Sequence, residues 1–463
     1  MMPRAVAALD VGKTHARLVV VAAEGGAMLW QDHCDSGGYS AEGLRQLDLA
    51  RLEAWLLQSL ATAARAAHIE AIVPVAHGAA AVLLDEAGGV IAAPDYEDPG
   101  LERVMDSYRP LRDPFAATFS PLLPLGLNLA RQWHWLRQQH PPCHARVRHA
   151  LLYPQYWAWR LCGVTASEVT SLGCHTDLWR PLERRCSDLA ERAGWSRWLP
   201  PLRGAQESLG PITPAVAVRT GLPADCRVLC GIHDSNASYL CHLAARAADE
   251  PFALISSGTW TVIMARGADL RRLRESADML ANVDARGAPV ATARFMGGRE
   301  FAGIAGETAR SAEPQWADLR RVLSRQWLAL PAFAPAGGPF AGRAGRIEAP
   351  AALTSAERAA LATWYVALMC DLQLDALAAA GSVVVDGPLA GNAQFGPLLG
   401  ALRPGTRVEC VTGAAGAPQA ARILCGYPAH VSAARAASAP LDPTLVAAYR
   451  AHWRSRIEPS PHQ

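Results

Sequence analysis

The chain has 463 residues, a length that predicts two domains of roughly 200 residues or somewhat more instead of one ordinary core. Hydrophobic residues make up 51% and charged residues 19%, so the chain has ample apolar material for packed cores. The formal net charge of +2, without a basic block or an acidic tail, excludes an electrostatic basis for binding nucleic acid or a membrane surface.

Cysteine usage and the first residues bear on the compartment. The 11 cysteines are scattered and form no Cys-x-x-Cys pair, which predicts free, buried thiols instead of a metal site or a disulfide framework. No apolar run reaches the roughly 18 residues of a membrane span. Residues 1–4 lead into an apolar strand without a signal-peptide cleavage site. We therefore expect a cytoplasmic protein.

Hydrophobic periodicity predicts strands and helices that alternate along the chain. A first hairpin joins strands 5–9 and 17–23, and a second spans residues 251–264 with Gly258 at its turn. Other predicted strands cover residues 27–30, 71–76, 228–231 and 383–385, with a further hairpin over 82–91. Predicted helices cover residues 44–67, 129–139, 153–162, 188–193, 235–247, 356–380 and 440–456.

The first hairpin turn carries groups that suit a phosphate. Gly12 lets backbone N–H groups approach phosphate oxygens closely. Lys13, the single lysine among 44 basic residues, and Thr14 add an ammonium and a hydroxyl. Asp10, at the end of the first strand, could hold Mg²⁺ through water. On this motif alone, an ordinary hairpin with a solvated lysine fits equally well.

The second hairpin and the segment before it add two further candidates. Residues 254–261 surround Gly258 with serine and threonine, which suits a polyphosphate but is also common in structural hairpins. Asp234 follows a strand and precedes a helix, a position from which a carboxylate can accept a proton from a sugar hydroxyl. In isolation, a helix cap is the commoner role for such an aspartate.

Order and spacing change this balance, because two phosphate-type turns bracket the strand, Asp234 and the helix. With these motifs in order, the chain resembles the FGGY carbohydrate kinases, within the superfamily of sugar kinases, heat-shock chaperone ATPases and actin. The segments that carry the resemblance are residues 10–14, 76–78, 95–98, 131–136, 210–223, 231–234, 256–260, 386–392 and 413–417.

The resemblance implies an α/β fold of two actin-like, RNase H-like ATPase domains with a cleft between them. The N-terminal domain would cover residues 1–247 and the C-terminal domain residues 248–463. Within the family, His233-Asp234 and residues 256–260 look most like rhamnulose kinases, which tilts the substrate toward L-rhamnulose or L-fuculose. Xylulose, ribulose, glycerol and tetroses are alternative acceptors, and a homodimer is an open arrangement.

The resemblance also implies roles for individual residues, with ATP and Mg²⁺ as cofactors. Asp234 would be the catalytic base, and Asp10 would hold hydrated Mg²⁺. The residues implied at the sugar are His77, Gly78, Asp95, Glu97, His233 and Asp234. The residues implied at ATP are Gly12, Lys13, Thr14, Gly258, Thr259, Gly387, Gly391 and Asn392, with residues 413–417 in the adenosine region.

Two positions depart from the family pattern. Residues 388–390 are Pro-Leu-Ala where the adenosine motif usually has consecutive glycines, and Pro418 replaces a helix-forming residue. These departures keep two rival functions open. One is an ATPase switch of the chaperone type, although no segment remains for a separate binding domain. The other is a sugar-binding regulator without catalysis.

Overall fold

The computed structural model describes residues 2–41, 43–247, 249–306, 314–411, 416–430 and 432–457. The chain divides into two compact units. The N-terminal unit comprises Met1–Arg246, Ala281–Pro289 and Ala415–Val431; the C-terminal unit comprises Ala247–Leu280, Val290–Ala414 and Ser432–Gln463. The first break adjoins the predicted boundary after residue 247, and the compact N-terminal unit also includes two segments from later in the chain.

Packing explains why those two segments belong with the N-terminal unit. The buried guanidinium of Arg422 donates from Nε and Nη2 to the Ala23 carbonyl, at 3.2 and 3.1 Å. Val283 lies in a hydrophobic cluster with Leu172, and a Cβ on Gly173 would lie 2.4 Å from Val283 Cγ2. Both segments therefore complete a core that the sequence order conceals.

The β-strands have these bounds. In the N-terminal part they are β1 (Arg4–Val11), β2 (His15–Ala22), β3 (Met28–Asp35), β4 (Gly38–Ala41), β5 (Leu44–Leu47), β6 (His68–Ala76), β7 (Ala81–Leu84), β8 (Val90–Ala92), β9 (His149–Leu152), β10 (Trp179–Arg180), β11 (Arg185–Cys186), β12 (Ser208–Pro211), β13 (Arg227–Leu229) and β14 (Ile232–His233). They continue with β15 (Phe252–Ser257), β16 (Thr261–Ala265), β17 (Leu280–Val283), β18 (Pro289–Phe295), β19 (Leu328–Leu330), β20 (Arg346–Glu348), β21 (Ser382–Asp386), β22 (Val408–Val411) and β23 (Ala433–Arg435).

The α-helices have these bounds. The first ten are α1 (Leu49–Ala63), α2 (Met105–Tyr108), α3 (Phe115–Thr118), α4 (Leu129–Gln139), α5 (Pro141–Arg146), α6 (Tyr153–Cys162), α7 (Val169–Leu172), α8 (Asp188–Arg192), α9 (Pro214–Thr220) and α10 (Asp234–Ala244). The others are α11 (Gly297–Ala305), α12 (Trp316–Arg325), α13 (Ser355–Ala376), α14 (Pro388–Gly391), α15 (Phe395–Leu402), α16 (Ala417–Leu424) and α17 (Pro443–Ile457).

The central sheet of the N-terminal unit gathers the candidate residues at one edge. Its order is β12-β13-β6-β1-β2-β3, and β14 also pairs with β6. Strands β1, β13 and β14 run parallel to β6, so their carboxyl ends meet at the same edge. Val11 and His233 both pair with Ala76 across the sheet. The register thus brings the ends of three distant segments side by side.

The predicted helix over residues 44–67 is wrong at its start. Leu44–Leu47 forms β5, which pairs with β4 in an antiparallel hairpin. The helix α1 begins only after Asp48, whose side chain accepts from the Arg51 amide and so caps it. Tertiary pairing with β4 therefore overrides the helical periodicity of these four residues.

The central sheet of the C-terminal unit runs in the order β18-β16-β15-β21-β22-β23. Strands β15, β21 and β22 are parallel, and Ser256 pairs with Asp386. The turn after β15 and the turn after β21 therefore leave the sheet side by side. This register places the second hairpin next to the segment that begins at Gly387.

Two further features bear on the expectations from composition. All eleven cysteines lie within the described residues, where none of them forms a disulfide, and five of them are buried. No helix among the described ranges is long and apolar enough to cross a membrane.

Candidate active site

The turn between β1 and β2 is held from a neighbouring strand. The Gly12 amide donates to the His15 carbonyl at 3.0 Å, which closes the turn. Ser36 then fastens it: its hydroxyl donates to the Gly12 carbonyl at 2.6 Å, and its amide donates to the Thr14 carbonyl at 2.8 Å. No local pattern pointed to Ser36, because this contact joins residues 24 positions apart. Thr14 itself is exposed.

Asp10, at the end of β1, forms an ion pair with Arg17. Arg17 Nη2 lies 3.1 Å from Asp10 Oδ2. Burial raises the pKa of Asp10; Arg17 opposes this shift and the charge of Asp234 adds to it. In the described part of the chain, no group of three or more His, Cys, Asp or Glu could hold a metal. A cation here would need water and phosphate oxygens as further ligands, which is how Mg²⁺ usually binds. A single carboxylate, Asp10, that leaves the other ligand positions to water and phosphate fits this way of binding Mg²⁺.

Lys13 contacts the acidic segment that was expected to bind sugar. Its Nζ lies 2.5 Å from Asp95 Oδ1 and 3.4 Å from Glu97 Oε2. The same ammonium lies 5.0 Å from the centre of the Tyr96 ring, within the range of a cation–π contact. Lys13 is thus engaged by carboxylates of residues 95–97, so its contact with phosphate stays a prediction.

Asp95 is fully buried, which bears on its expected contact with a sugar. Its Oδ1 accepts from the Glu97 amide at 3.0 Å as well as from Lys13, and Arg45 Nε lies 2.9 Å from its Oδ2. Oδ1 is thus hydrogen-bonded, whereas Oδ2 pairs with the charge of Arg45 but has no hydrogen bond among the described residues, so the carboxylate anchors the segment through Oδ1. Glu97, half exposed at its side chain, is the better placed of the two to meet a ligand.

His77 and Gly78 follow β6 at the same edge of the sheet. His77 Nδ1 lies 2.8 Å from the Gly78 carbonyl oxygen, which can accept a hydrogen bond from it. The ring is buried and meets Tyr96 and Tyr153 edge-on, with centroid distances of 5.7 and 5.0 Å. Burial lowers the pKa of His77, which favours the neutral imidazole. His77 is therefore a neutral group in an aromatic pocket.

The helix over residues 131–136, part of the resemblance, holds this segment in place. Gln132 is fully buried in α4. Its Nε2 donates to the carbonyls of Ala79 and Gly126, both at 2.7 Å. The buried amide thus ties the chain that follows His77 and Gly78 to the helix, a role that the sequence pattern did not reveal.

Asp234 is the first residue of α10, and its contacts bear on whether it is a helix cap. The N-cap position is His233, whereas Asp234 Oδ1 accepts from the adjacent Ser235 amide at 2.5 Å. Among the described residues it accepts from no amide two or three positions ahead, as a capping carboxylate would. Burial raises its pKa, and 38% of its side chain remains exposed. The geometry leaves Asp234 available to a ligand.

Electrostatics links these groups into one cluster. The charge of Asp234 raises the pKa of both Asp10 and Tyr96, although burial is the larger cause for each. The same charge opposes the burial that lowers the pKa of His77. Such effects require the groups to be close. The N-terminal unit therefore gathers two carboxylates, a neutral histidine and a tyrosine at one sheet edge.

The buried acid Glu168 is connected to this cluster through Thr170 and the backbone of His233. Glu168 is fully buried, and its Oε2 accepts from the Thr170 amide and hydroxyl at 2.9 and 2.5 Å. The Thr170 hydroxyl oxygen in turn accepts from the His233 amide at 3.1 Å. Burial raises the pKa of Glu168 to about 7. His233, which precedes Asp234, is thus linked through the Thr170 hydroxyl to Glu168, whose pKa is near 7.

We expect Glu168→Gln to change how stability depends on pH. The folded state raises the pKa of Glu168 from 4.5 to about 7, so it binds the proton more tightly than the unfolded chain. Its ionisation therefore removes stability as pH rises through this window, by about 2–3 kcal/mol between pH 5 and 8. Urea unfolding at both pH values should show the wild type losing that much relative to Glu168→Gln. The exposed Glu86→Gln is the matched control, and equal pH dependence of Glu168→Gln and wild type would contradict the expectation.

The C-terminal unit contains a cavity of about 850 Å³ beside its central sheet. Gly258 and Thr259, in the turn between β15 and β16, form part of its wall. The other lining residues are Ser257, Thr261, Gly297, Gly298, Arg299, Phe301, Ala302, Pro314, Val366, Pro388, Leu389, Gly391 and Asn392. The cavity has the size of a site for a small organic molecule.

The start of α11 forms one wall, and the sequence analysis missed it. A Cβ on Gly298 would lie 2.4 Å from the Gly258 carbonyl oxygen, and one on Gly297 would lie 2.1 Å from Thr261 Oγ1. Only glycine lets this helix start so close to the turn after β15. A helix N-terminus favours anions, and at this one the Gly298 amide already donates to the Thr259 carbonyl at 3.3 Å. Arg299 adds a guanidinium to the lining. In the sequence, the pair Gly297-Gly298 between a strand and an amphipathic helix could have indicated this close approach.

The segment after β21 forms the opposite wall. Ser257 Oγ donates to the Asp386 carbonyl at 2.6 Å and accepts from the Leu389 amide at 2.9 Å. Gly387 has a positive φ of 77°, and a Cβ there would lie 2.2 Å from the Ser257 carbonyl oxygen. Gly391 and Asn392 line the cavity, whereas Gly387 shapes the turn beneath it.

Both prolines that depart from the family pattern occupy first-turn positions of helices. Pro388 begins α14, and Pro418 lies in the first turn of α16. Proline is tolerated there because those amides have no partner within the helix. Of the predicted adenosine segment at 413–417, residues 413–415 lie outside the described residues.

Two domain descriptions of one protein family match this chain. Residues 5–241 match the N-terminal domain of the FGGY family of carbohydrate kinases, and residues 249–434 match the C-terminal domain of carbohydrate kinase FGGY. The structure resembles that of a carbohydrate kinase from Novosphingobium aromaticivorans, with a TM-score of 0.90 and 36% identity over 98% of this chain and 100% of that one.

More distant relatives share the fold. A xylulose kinase from Rhodospirillum rubrum has a TM-score of 0.78 at 16% identity, over 98% of this chain and 97% of that one. L-fuculokinase of Escherichia coli K12 is 25% identical over 208 residues, 44% of this chain, and the match spans only 43% of that relative. The predicted class of two α/β domains of the actin-like ATPase type is confirmed. The chain belongs to the FGGY family of carbohydrate kinases.

Proposed function

We propose that the protein transfers the γ-phosphoryl group of ATP to a hydroxyl of a small sugar, with Asp234 as the base. The observation that carries this proposal is the position of Asp234: an accessible carboxylate with a raised pKa, beside the ends of two parallel strands that bear Asp10 and His77. A raised pKa makes a carboxylate a better proton acceptor at neutral pH, as long as it remains ionised.

In the proposed reaction the sugar hydroxyl gives its proton to an Asp234 oxygen. The hydroxyl oxygen forms a bond to the γ-phosphorus, the bond to the bridging oxygen breaks, and ADP leaves with that electron pair. Phosphoryl transfer depends mainly on positioning and on neutralising charge. Bound Mg²⁺ would supply charge neutralisation, and Asp10 is the carboxylate that fits its hydration shell.

The cavity of the C-terminal unit is the proposed nucleotide site. Backbone amides at the turn after β15 and at the start of α11 suit phosphate oxygens, and Arg299 adds positive charge. The apolar lining, which includes Phe301 and Leu389, suits the adenine ring. The phosphate and adenosine contacts predicted for Gly258, Thr259, Gly391 and Asn392 therefore belong to this proposal.

For the sugar, we favour a 6-deoxyketohexose such as L-fuculose or L-rhamnulose. The partial match to L-fuculokinase and the His233-Asp234 pair support this choice. Of the residues with predicted sugar contacts, His77 and Gly78 follow β6 at the same sheet edge as Asp234, and Glu97 lies 3.4 Å from Lys13 in the turn after β1. An apolar surface such as the rings of Tyr96 and Tyr153 could receive the methyl group of a deoxy sugar.

A ketose panel tests the proposal. The protein is incubated with ATP, Mg²⁺ and L-fuculose, L-rhamnulose, xylulose, ribulose, glycerol or a tetrose, and mass spectrometry detects the sugar phosphate together with ADP release. We expect L-fuculose or L-rhamnulose to have the highest kcat/KM. Preference for another member would overturn the sugar class alone. Sugar binding without turnover would indicate a regulator, and sugar-independent ADP release would indicate an ATPase switch.

A further inference from the structure

Lys13 belongs to the phosphate-type turn after β1, but its side chain is directed at residues 95–97. Its Nζ donates to Asp95 Oδ1 at 2.5 Å, lies 3.4 Å from Glu97 Oε2 and lies 5.0 Å from the centre of the Tyr96 ring. Only 18% of the Lys13 side chain is exposed. Three consecutive residues of one segment thus contact the ammonium group.

The charge of Asp95 holds Lys13 in this position. The carboxylate is fully buried, and a buried charge needs a charged or hydrogen-bonded partner. Its Oδ2 pairs with Arg45 but has no hydrogen bond among the described residues, whereas Lys13 donates directly to Oδ1. If the ammonium group moved to a phosphate, a buried charge would lose its hydrogen-bonded cation, which is strongly unfavourable. The ion pair therefore competes with the phosphate contact that the sequence predicts.

The segment that Lys13 contacts borders the candidate sugar site. Tyr96 meets the ring of His77 edge-on, with the centroids 5.7 Å apart. Burial raises the pKa of Tyr96 and the charge of Asp234 adds to this, which requires the ring to lie near that carboxylate. The Tyr96 carbonyl accepts from the Gly126 amide at 2.7 Å. That bond fixes the main chain, whereas Lys13 contacts the ring and the two neighbouring carboxylates.

We infer that Lys13 is a positioning residue for the acceptor sugar: it holds Asp95 and the ring of Tyr96 at the wall of the sugar site and does not bind phosphate. The inference rests on the proposed function, in which this sheet edge receives the sugar. It replaces the phosphate role that the family resemblance implies for Lys13. A charge-assisted hydrogen bond and a cation–π contact both restrict the side chains that they join. Sugar affinity, and not nucleotide affinity, should therefore depend on the ammonium group.

The kinetic test compares Lys13→Met, which removes the charge from a side chain of similar length, with Lys13→Arg, which keeps it. Loss of a hydrogen bond to a buried charge should raise the sugar KM of Lys13→Met by about 10- to 100-fold. Its kcat should stay within about threefold of the wild type, because the ammonium group does not act on the reacting atoms. Lys13→Arg should recover most of the sugar affinity, since a guanidinium can also donate to Asp95.

Nucleotide binding is measured on the same variants without sugar. The Kd of a non-hydrolysable ATP analogue, from calorimetric titration, should be the same for Lys13→Met and the wild type. Arg65→Met is the matched control, because it removes an exposed cation from the same unit. It should leave both the sugar KM and this Kd unchanged. Weaker binding of the analogue by Lys13→Met, with the sugar KM unchanged, would overturn the inference.

A double-variant cycle with Asp95→Asn separates positioning from phosphate binding. A neutral amide needs no cation, so Lys13→Met should change the sugar KM by no more than about threefold in the Asp95→Asn background. A phosphate ligand would instead give the same loss in both backgrounds, and that result would overturn the inference. Thermal unfolding of each variant identifies a loss of activity that is due to misfolding.

A second measurement does not require any sugar to be phosphorylated. Lys13 is the only lysine of the chain, so labelling with ¹³C-lysine gives NMR signals from this side chain alone. We expect the ring of Tyr96 to shift the ε-methylene protons upfield, and Tyr96→Leu to abolish this shift. Signals at the position of a solvated lysine would overturn the inference even if the kinase is active. If no sugar is phosphorylated but the shift is present, the proposed function fails and the contact between Lys13 and residues 95–97 stands.

Discussion

Asp234→Asn should abolish most phosphoryl transfer and leave the fold and nucleotide binding intact. The amide has nearly the same shape as the carboxylate but cannot accept the proton of the sugar hydroxyl. General-base catalysis contributes about 10²–10⁴-fold to such a step, so kcat should fall by that factor. A coupled ADP assay with the preferred ketose measures the loss, and titration with ADP measures nucleotide affinity.

The matched control for this experiment is Asp225→Asn, an exposed aspartate in the same unit. It should keep full activity. Thermal unfolding should show Asp234→Asn within a degree or two of the wild type or above it, because a partly buried charge with a raised pKa is removed. Near-normal turnover in Asp234→Asn would overturn its assignment as the base.

Gly298→Ala should weaken nucleotide binding without affecting the sugar site. Its Cβ would lie 2.4 Å from the Gly258 carbonyl oxygen, a backbone atom that cannot turn away. The start of α11 and the turn after β15 must then separate. Overpacking of this kind costs about 1–3 kcal/mol, which corresponds to a loss of roughly 5- to 150-fold if it falls on the bound state. Calorimetric titration with ADP gives the change in Kd.

Gly400→Ala is the matched control, because it adds the same methyl group to a helix of the same unit. The nearest atom to its Cβ would be Val408 Cγ2 at 3.9 Å, an ordinary contact, and α15 gains a better helix former. It should leave the affinity for ADP unchanged. If a folded Gly298→Ala variant binds ADP as tightly as the wild type, the proposal that the nucleotide binds in this cavity is wrong.

Local patterns predicted much of the fold because the chemistry they record is local. The bounds of α4 and α6 agree with the predicted helices over 129–139 and 153–162, since Pro141 follows the first and Gly163, with a positive φ, ends the second. The hairpins around Gly12 and Gly258 also form, because alternating strands and a glycine turn define them. Leu44–Leu47 was assigned wrongly, because its partner strand decides its structure.

For the candidate site too, the sequence predicted the residues, and only the structure showed their contacts. Within the sequence, Asp234 could be a cap or a base, and only its contacts show that it caps no amide ahead in the described helix. The contact between Lys13 and Asp95 joins residues 82 positions apart, and the burial of that carboxylate follows from the fold. Neither could be read from residue type or spacing.

By itself, the sequence determined which groups are present and in what order: two glycine turns, an aspartate between them, and the family to which they belong. The tertiary structure decided which groups meet and how exposed each one is, because burial and partner atoms set the charge and the accessibility of a side chain. Strand register brings Asp10, His77 and His233 to one sheet edge, and Gly298 brings α11 to the turn after β15. Those contacts link residues far apart in the chain, and no local pattern encodes them.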